Sequence, residues 1–248
     1  MPGLRREEVA MLAGVSAEYY IRLERGRDRN PSEQVCNALT RVLGLDEESR
    51  GYLASVVAPS PTRRVRITAS EQVRMPVLRL IEATPSVPAF VLGRFMDVLA
   101  RNRAAEVLHG QSIQDNLVRF MFLDPSARAI YPDWEQVAAE SVASLRASAA
   151  GQLDDHRLTQ LVGELSLKSP EFGRLWARHD VRAKSNGTKR IVSPTVGEVT
   201  VRWEGLAVTS APGQLLVTYF AEPDTVSGEA LRHVALLAAE YDDAIIGP

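Results

Sequence analysis

Apolar residues recur at helical spacing through the first 57 positions of the chain. In segment 4–13, Val9, Leu12 and Ala13 share one predicted face, and Glu7 and Glu8 occupy the first turn, where the helix dipole favours anions. Gly14 follows directly, the residue type that most readily takes the left-handed turn ending a helix. Ser16 is a good N-cap for a second helix through Arg25, with Tyr20 and Leu23 facing inward and Gly26 closing it. Pro31-Ser32 opens a third, on which Val35, Ala38, Leu39 and Val42 stand at i, i+3, i+4 and i+7. Leu45, Tyr52, Leu53 and Val56 belong to a fourth, starting near Asp46. Periodicity then stops at Ala58-Pro59-Ser60-Pro61-Thr62-Arg63-Arg64, where two prolines suit neither helix nor sheet. The chain therefore divides into a helical domain at 1–57, a linker at 58–67 and a second domain at 68–248.

The second domain mixes two periods. Residues 68–83 form a striped helix with Val73, Val77, Leu78 and Ile81, and Pro88–Gly93 and Met96–Leu99 read as short strands joined by a turn. Helices follow from Arg103, then near 116–122, 133–149, 155–166 and 169–179. The one at 133 is capped by Asp133 and carries Trp134, Val137, Ala138, Ser141 and Leu145; the one at 169 has Phe172, Leu175, Trp176 and His179 on one face. Three strands come next, around Lys189–Val192, Gly197–Trp203 and Leu215–Ala221, and a helix with Leu231, Val234, Ala235 and Ala238 ends the chain. Such an order predicts an α+β domain with an antiparallel sheet.

Composition narrows the class. Apolar residues at 45% and charged residues at 24% belong to a globular protein and exclude wholesale disorder. No apolar run approaches a bilayer span, the N-terminus lacks a signal-peptide core, and a lone Cys36 excludes a disulfide framework, so the chain is expected in the cytoplasm. Residues 1–66 hold 11 Arg against 9 Asp+Glu, a charge of +2; the remainder hold 18 basic and 22 acidic residues, −4. Of the basic residues 26 are arginine and 3 lysine, read as a base-composition bias. Catalytic patterns are lacking: no Gly-x-Ser-x-Gly, no phosphate-binding glycine loop, no His-Glu-x-x-His. Asp154-Asp155-His156 and His179-Asp180 set acids beside imidazoles, but neighbours on a helix point apart; the first reads as a helix cap and His179 as the edge of a packed face. The expectation is a protein that is not an enzyme and holds neither cofactor nor metal.

Two short helices around Gly14-Val15-Ser16 have helix-turn-helix spacing, and Ala10 is small enough for a close crossing. Any small helical domain can contain such a pair. The string LRREEVAMLAGVSAEYYIRLERGRDRNPS, however, closely resembles the Xre/lambda-repressor-like family over residues 4–57, with Ala-Gly-Val-Ser ahead of a recognition helix ending in Leu-Glu-x-Gly. The resemblance implies double-stranded operator DNA as partner. It puts Ser16 as cap, Ala17, Glu18 and Arg22 at base-facing positions, Tyr19 beside them, and Arg5, Arg6, Arg25, Arg27 and Arg29 against phosphates. For each arginine the alternative is a solvated surface charge, for Tyr19 partial packing. The family also has a helix ahead of the one starting at Leu4, whose arginine pairs with the residue matching Glu24. With that helix missing here, Val9, Tyr20 and Leu23 are expected to be exposed, and the alternative function is a ligand-binding or interaction module that no longer binds DNA.

Beyond the linker, PAFVLGRFMDVLARNRAAEVL, FMFLDPSARAIYPDWEQVA, SPEFGRLWARHDV and TKRIVSPTVGEVTV look like the ligand-binding domain of MmyB-like transcription regulators, in which an Xre-type helix-turn-helix is joined to a PAS-like domain. Departures are Phe95 or Met96 in place of a family tryptophan and Ser193 in place of a histidine. The resemblance implies a small apolar, fatty-acid-like ligand. Ten aromatics of the domain, from Phe90 to Tyr219, are candidates for plain core or for a cavity wall; Phe90, Phe95, Phe120, Trp134 and Trp176 are the ligand-binding candidates. Asn102 is either a polar handle turned to the ligand or the cap of the helix at Arg103. A homodimer is expected, because helix-turn-helix proteins commonly pair over successive major grooves.

Overall fold

The computed structural model describes residues 4–28, 30–57, 71–110, 115–150, 152 and 154–246. The expected linker at 58–67, residues 68–70 and Arg29 lie outside this set. The chain forms two compact units, one holding the first four helices and one holding the later elements.

The first unit consists of α1 (Arg6–Ala13), α2 (Ala17–Glu24), α3 (Glu33–Val42) and α4 (Glu47–Val57). Gly14 ends α1 in the left-handed conformation at φ 70°, and its amide donates back into the last turn. The Oγ atoms of Ser16 and Ser32 accept the amides of Tyr19 and Val35, capping α2 and α3. Val9, Ala10, Ala13, Tyr20 and Leu39 form the core. Two expectations are corrected here. Val9 and Tyr20 are buried, at 3% and 8% exposure, and Leu23 is half-buried, because α1, α2 and α3 close on one another. Leu12, expected inward, is 57% exposed, since Ala10 and Ala13 rather than Leu12 meet the partner helices.

In the second unit, α5 (Met75–Glu82) precedes β1 (Ala89–Leu92), β2 (Val98–Arg101), α6 (Arg103–His109), α7 (Leu117–Leu123), α8 (Ala127–Ile130), α9 (Trp134–Ser148), α10 (His156–Lys168), α11 (Pro170–Ala177), β3 (Asn186–Ser193), β4 (Gly197–Ala207), β5 (Leu215–Phe220) and α12 (Val226–Ile246). The five strands are antiparallel in the order β2-β1-β5-β4-β3, so strands distant in sequence meet at the centre. On β4, Val199, Val201 and Trp203 are buried and alternate with exposed Thr200 and Arg202. The central strands are covered on both faces. Ala89, Val91 and Leu216 pack with Ile81 of α5, while Phe90, Leu92, Val217 and Tyr219 face the main core with α6 to α11. An α+β domain with an antiparallel sheet is what the chain forms.

Three local readings change. α5 begins only at Met75, with Pro76 fixing its first turn and residues 71–74 non-helical. Asp133 precedes α9 without capping it; its carboxylate instead takes two bonds from Arg190, at 2.6 and 2.8 Å. His179 lies past the end of α11, exposed and at φ 57°, rather than on its packed face.

Candidate functional site

On α2, Glu18 and Arg22 are one helical turn apart and exposed, with Ala17 and Tyr19 half-buried beside them. Ser16 is occupied by its cap bond. The Arg22 Nε donates to Asp28 at 3.3 Å, and its guanidinium lies 5.7 Å from the Tyr19 ring centre. Arg5, Arg25 and Arg27 are exposed, as phosphate contacts need to be. Arg6 differs: its Nε donates to Glu24 at 2.6 Å, which ties α1 to the end of α2. Glu24 therefore takes its arginine from α1. An exposed pair of this kind is weak in water and can exchange a carboxylate for a phosphate.

The ligand-binding candidates do not converge on one point. Asn102 is used up by the backbone: its Oδ1 accepts from Ala89 and Ala105, and its Nδ2 donates to the carbonyls of Ile81, Thr84 and Val87. It caps α6 and pins the entry to β1. Phe95 is buried in the main core, with the Arg157 guanidinium 5.9 Å from its ring.

Helices α7, α9 and α11 assemble one aromatic group. Phe122 meets Trp134 and Phe172 edge-on at 5.7 and 5.3 Å, and Phe172 stacks on half-buried Trp176. Arg128 lies over Trp134 at 3.6 Å and Arg146 over Trp176 at 3.9 Å, while the Trp134 indole donates to the Met121 carbonyl. Beside Trp134 opens a cleft of about 210 Å³, bordered by Arg128 and Glu171. That is below the roughly 300 Å³ at which small-molecule sites usually begin.

A second group stands on the sheet. Phe90, His109 and Tyr219 are in mutual ring contact, and Phe120 meets Tyr131 edge-on at 6.4 Å. Into this group β3 projects Lys189, whose Nζ lies 5.2, 5.5 and 5.8 Å from the centres of Trp203, Tyr219 and Tyr131. Lys184, just ahead of β3, lies 4.6 Å over the same Trp203 ring. The indole can lie there because its register partner on β3 is Gly187, where a Cβ would come within 2.8 Å of Nε1. Burial lowers the ammonium of Lys184 to about 8, and burial and then Lys184 push Lys189 well below the usual lysine range; Glu140 opposes both. His109 Nδ1 lies 3.2 Å from the Ala105 carbonyl and so carries the proton, leaving Nε2 an acceptor that is buried and has no partner among the described residues. Burial, with the nearby Lys189 and Arg101 charges, lowers His109 to about 4. Burial also raises Tyr131 and Tyr219.

None of Lys184, Lys189 and His109 stands out in the sequence. The one available signal was scarcity, since these are two of only three lysines in an arginine-rich chain.

A helix-turn-helix unit joined to an α+β domain with a polar group buried among aromatics is the architecture of a ligand-responsive DNA-binding regulator. The family model for a helix-turn-helix domain matches residues 2–53, and that for the MmyB-like transcription regulator ligand binding domain matches residues 73–234. The latter spans more than half of the chain, which belongs to that family. No curated protein matches the chain. No helix among the described residues is long and apolar enough to cross a membrane.

Proposed function

We propose that this regulator reads its operator as a homodimer through α2, and that its second unit senses a long apolar, fatty-acid-like molecule. The observation that carries the DNA reading is the exposed pair of Glu18 and Arg22 on a capped α2, flanked by exposed Arg5, Arg25 and Arg27. Arg22 forks onto guanine O6/N7 and Glu18 accepts from a cytosine amino group. The alternative is a module whose incomplete helix-turn-helix no longer binds DNA; the burial of Val9 and Tyr20 between α1, α2 and α3 supports the DNA-binding reading over it. A regulator of this kind acts in the cytoplasm, where the operator is. Affinity for duplex DNA that falls steeply with salt is the expected result, and salt-independent or absent binding would overturn the reading. A sedimentation mass near that of a single chain at micromolar concentration counts against the dimer.

For the ligand, the support is the family and the aromatic walls. Burying about 12 methylenes at roughly 0.8 kcal/mol each yields on the order of 10 kcal/mol before ordering costs, ample for micromolar binding. Purified chain should release an acyl compound on extraction and gain thermal stability from acyl chains. A chain that is empty by native mass spectrometry, with a melting temperature unmoved by C8 to C18 acids, contradicts the ligand class.

A further inference from the structure

We infer that Asp28, in the turn that leaves α2, is a positioning residue for base recognition: it aims the Arg22 guanidinium and keeps Glu18 from capturing it. This rests on the DNA reading above and adds what that reading leaves open. An arginine and an acid one helical turn apart must each face a base instead of binding each other.

Glu18 and Arg22 stand at i and i+4 on α2, the order and spacing at which an acid and a base ordinarily pair on a helix surface. Such a pair would occupy both groups. Among the described residues it is not made: Glu18 has no ion pair, and Arg22 gives its Nε–H to Asp28 Oδ2 at 3.3 Å. The turn accounts for the choice. Gly26 takes the left-handed conformation at φ 63° and reverses the chain. The amides of Arg27 and Asp28 then both donate to the Arg22 carbonyl, at 2.9 and 3.3 Å. Main-chain bonds therefore hold the short, half-buried Asp28 beside Arg22, whereas the longer, exposed Glu18 would give up more side-chain freedom to reach it. The Tyr19 ring, 5.7 Å from the guanidinium, supplies a second contact.

A guanidinium carries five N–H donors. Asp28 takes the one on Nε, which leaves Nη1 and Nη2 to meet guanine O6 and N7 end-on. The pair is exposed and weak in water, but a base edge that displaces the water around it strengthens the charge-assisted bond. An acid on a DNA-facing surface also repels phosphates of any sequence. Its removal should therefore cost selectivity without costing affinity, an effect that a merely structural turn residue would not produce.

The test uses the full chain, duplexes it enriches from a random pool, base-substituted versions of them and a random duplex. The base pair at which Arg22→Ala abolishes preference defines the Arg22 contact. There the unaltered chain should discriminate by about tenfold or more, and Asp28→Ala should reduce this to within about threefold. Preference at the Glu18 contact should fall too, because Arg22 then turns to Glu18, while affinity for the random duplex stays level or rises by up to about threefold. Asp28→Asn, which keeps an acceptor without the charge, should lie between, and it decides alone should Asp28→Ala fail to fold. Added to Arg22→Ala, Asp28→Ala should relax preference at the Arg22 contact no further. If Asp28→Ala keeps the preferences, or weakens cognate and random duplexes alike, the positioning role is wrong although the DNA reading survives. If it strengthens cognate binding more than random binding, Asp28 restrains Arg22 instead of aiming it, and the proposal is again overturned. If the unaltered chain enriches no sequence, the base reading itself fails and the positioning role with it.

Discussion

The two units treat their cations in opposite ways. In the helix-turn-helix, Arg6 and Arg22 are exposed and lightly held by Glu24 and Asp28, in pairs that water weakens and a phosphate can replace. In the second unit, buried Lys189 and half-buried Lys184 are set against aromatic rings, with no acid at contact distance among the described residues. The first arrangement gives quick, salt-sensitive exchange of partners. The second holds its lysines where burial disfavours the charged form and lowers both below the usual lysine range. The difference lies in burial, since both use the same kind of charge.

The comparison can be broken most forcefully at the core. Phe172 is fully buried between Phe122 and Trp176, and Phe172→Ala should cost about 3–5 kcal/mol in chemical denaturation of the second unit. A loss below about 1 kcal/mol would mean that this aromatic layer is loosely packed. Next in size is an effect of pH. His109, with Phe90 and Tyr219 against its ring and Lys189 and Arg101 as neighbouring cations, is held at about 4 in the fold against an ordinary 6.5. The unfolded chain therefore binds an extra proton between those values. Stability from this group is full above pH 6.5 and declines as pH falls towards 4, by on the order of 3 kcal/mol. Unfolding free energies of the wild type and His109→Gln across pH 4–7 should diverge accordingly, and parallel curves would remove the assignment.

On the DNA side the effects are smaller and should leave the fold alone. Arg22→Ala should cost about 1–3 kcal/mol of operator affinity and relax preference at one base, whereas Arg5→Ala should weaken all sequences equally. Equal losses on cognate and random duplexes for Arg22→Ala would make it a phosphate contact. The smallest change is expected at Leu12, exposed on the outer side of α1: Leu12→Ser should move the melting midpoint by an amount equivalent to no more than about 0.5 kcal/mol. A larger loss would show that something covers this side chain in solution.

Much of the architecture was legible in the chain. Caps at Ser16 and Ser32 and the turn at Gly14 act locally, so the helix-turn-helix could be read residue by residue. Alternation of Val199, Val201 and Trp203 marked β4 in the same way. What periodicity could not show was which of two plausible side chains turns inward. On α1 a small Ala10 won over Leu12 because the helices approach closely there. Asp133 looked like a cap, but Arg190, 57 residues away, offered its carboxylate a charged partner. The buried lysines were hidden for a related reason: Lys189 lies inward only through the register of β3 on β4, where it pairs with Val201. Register is a property of two strands and cannot be read from one.

The strand order also bears on how the molecule is made. The contacts of α1 to α3 are local in sequence, whereas Ala89 of β1 pairs with Thr218 of β5, more than half the chain away. Loops of that length close slowly, and pairing cannot begin until β5 has been synthesised. During translation the DNA-reading unit is thus free to fold while the sensor is still an open sheet-in-waiting, with Phe90 and Val91 uncovered. Nascent chains halted before β5 should already bind duplex DNA, be blind to effector, and engage chaperones through the first hairpin.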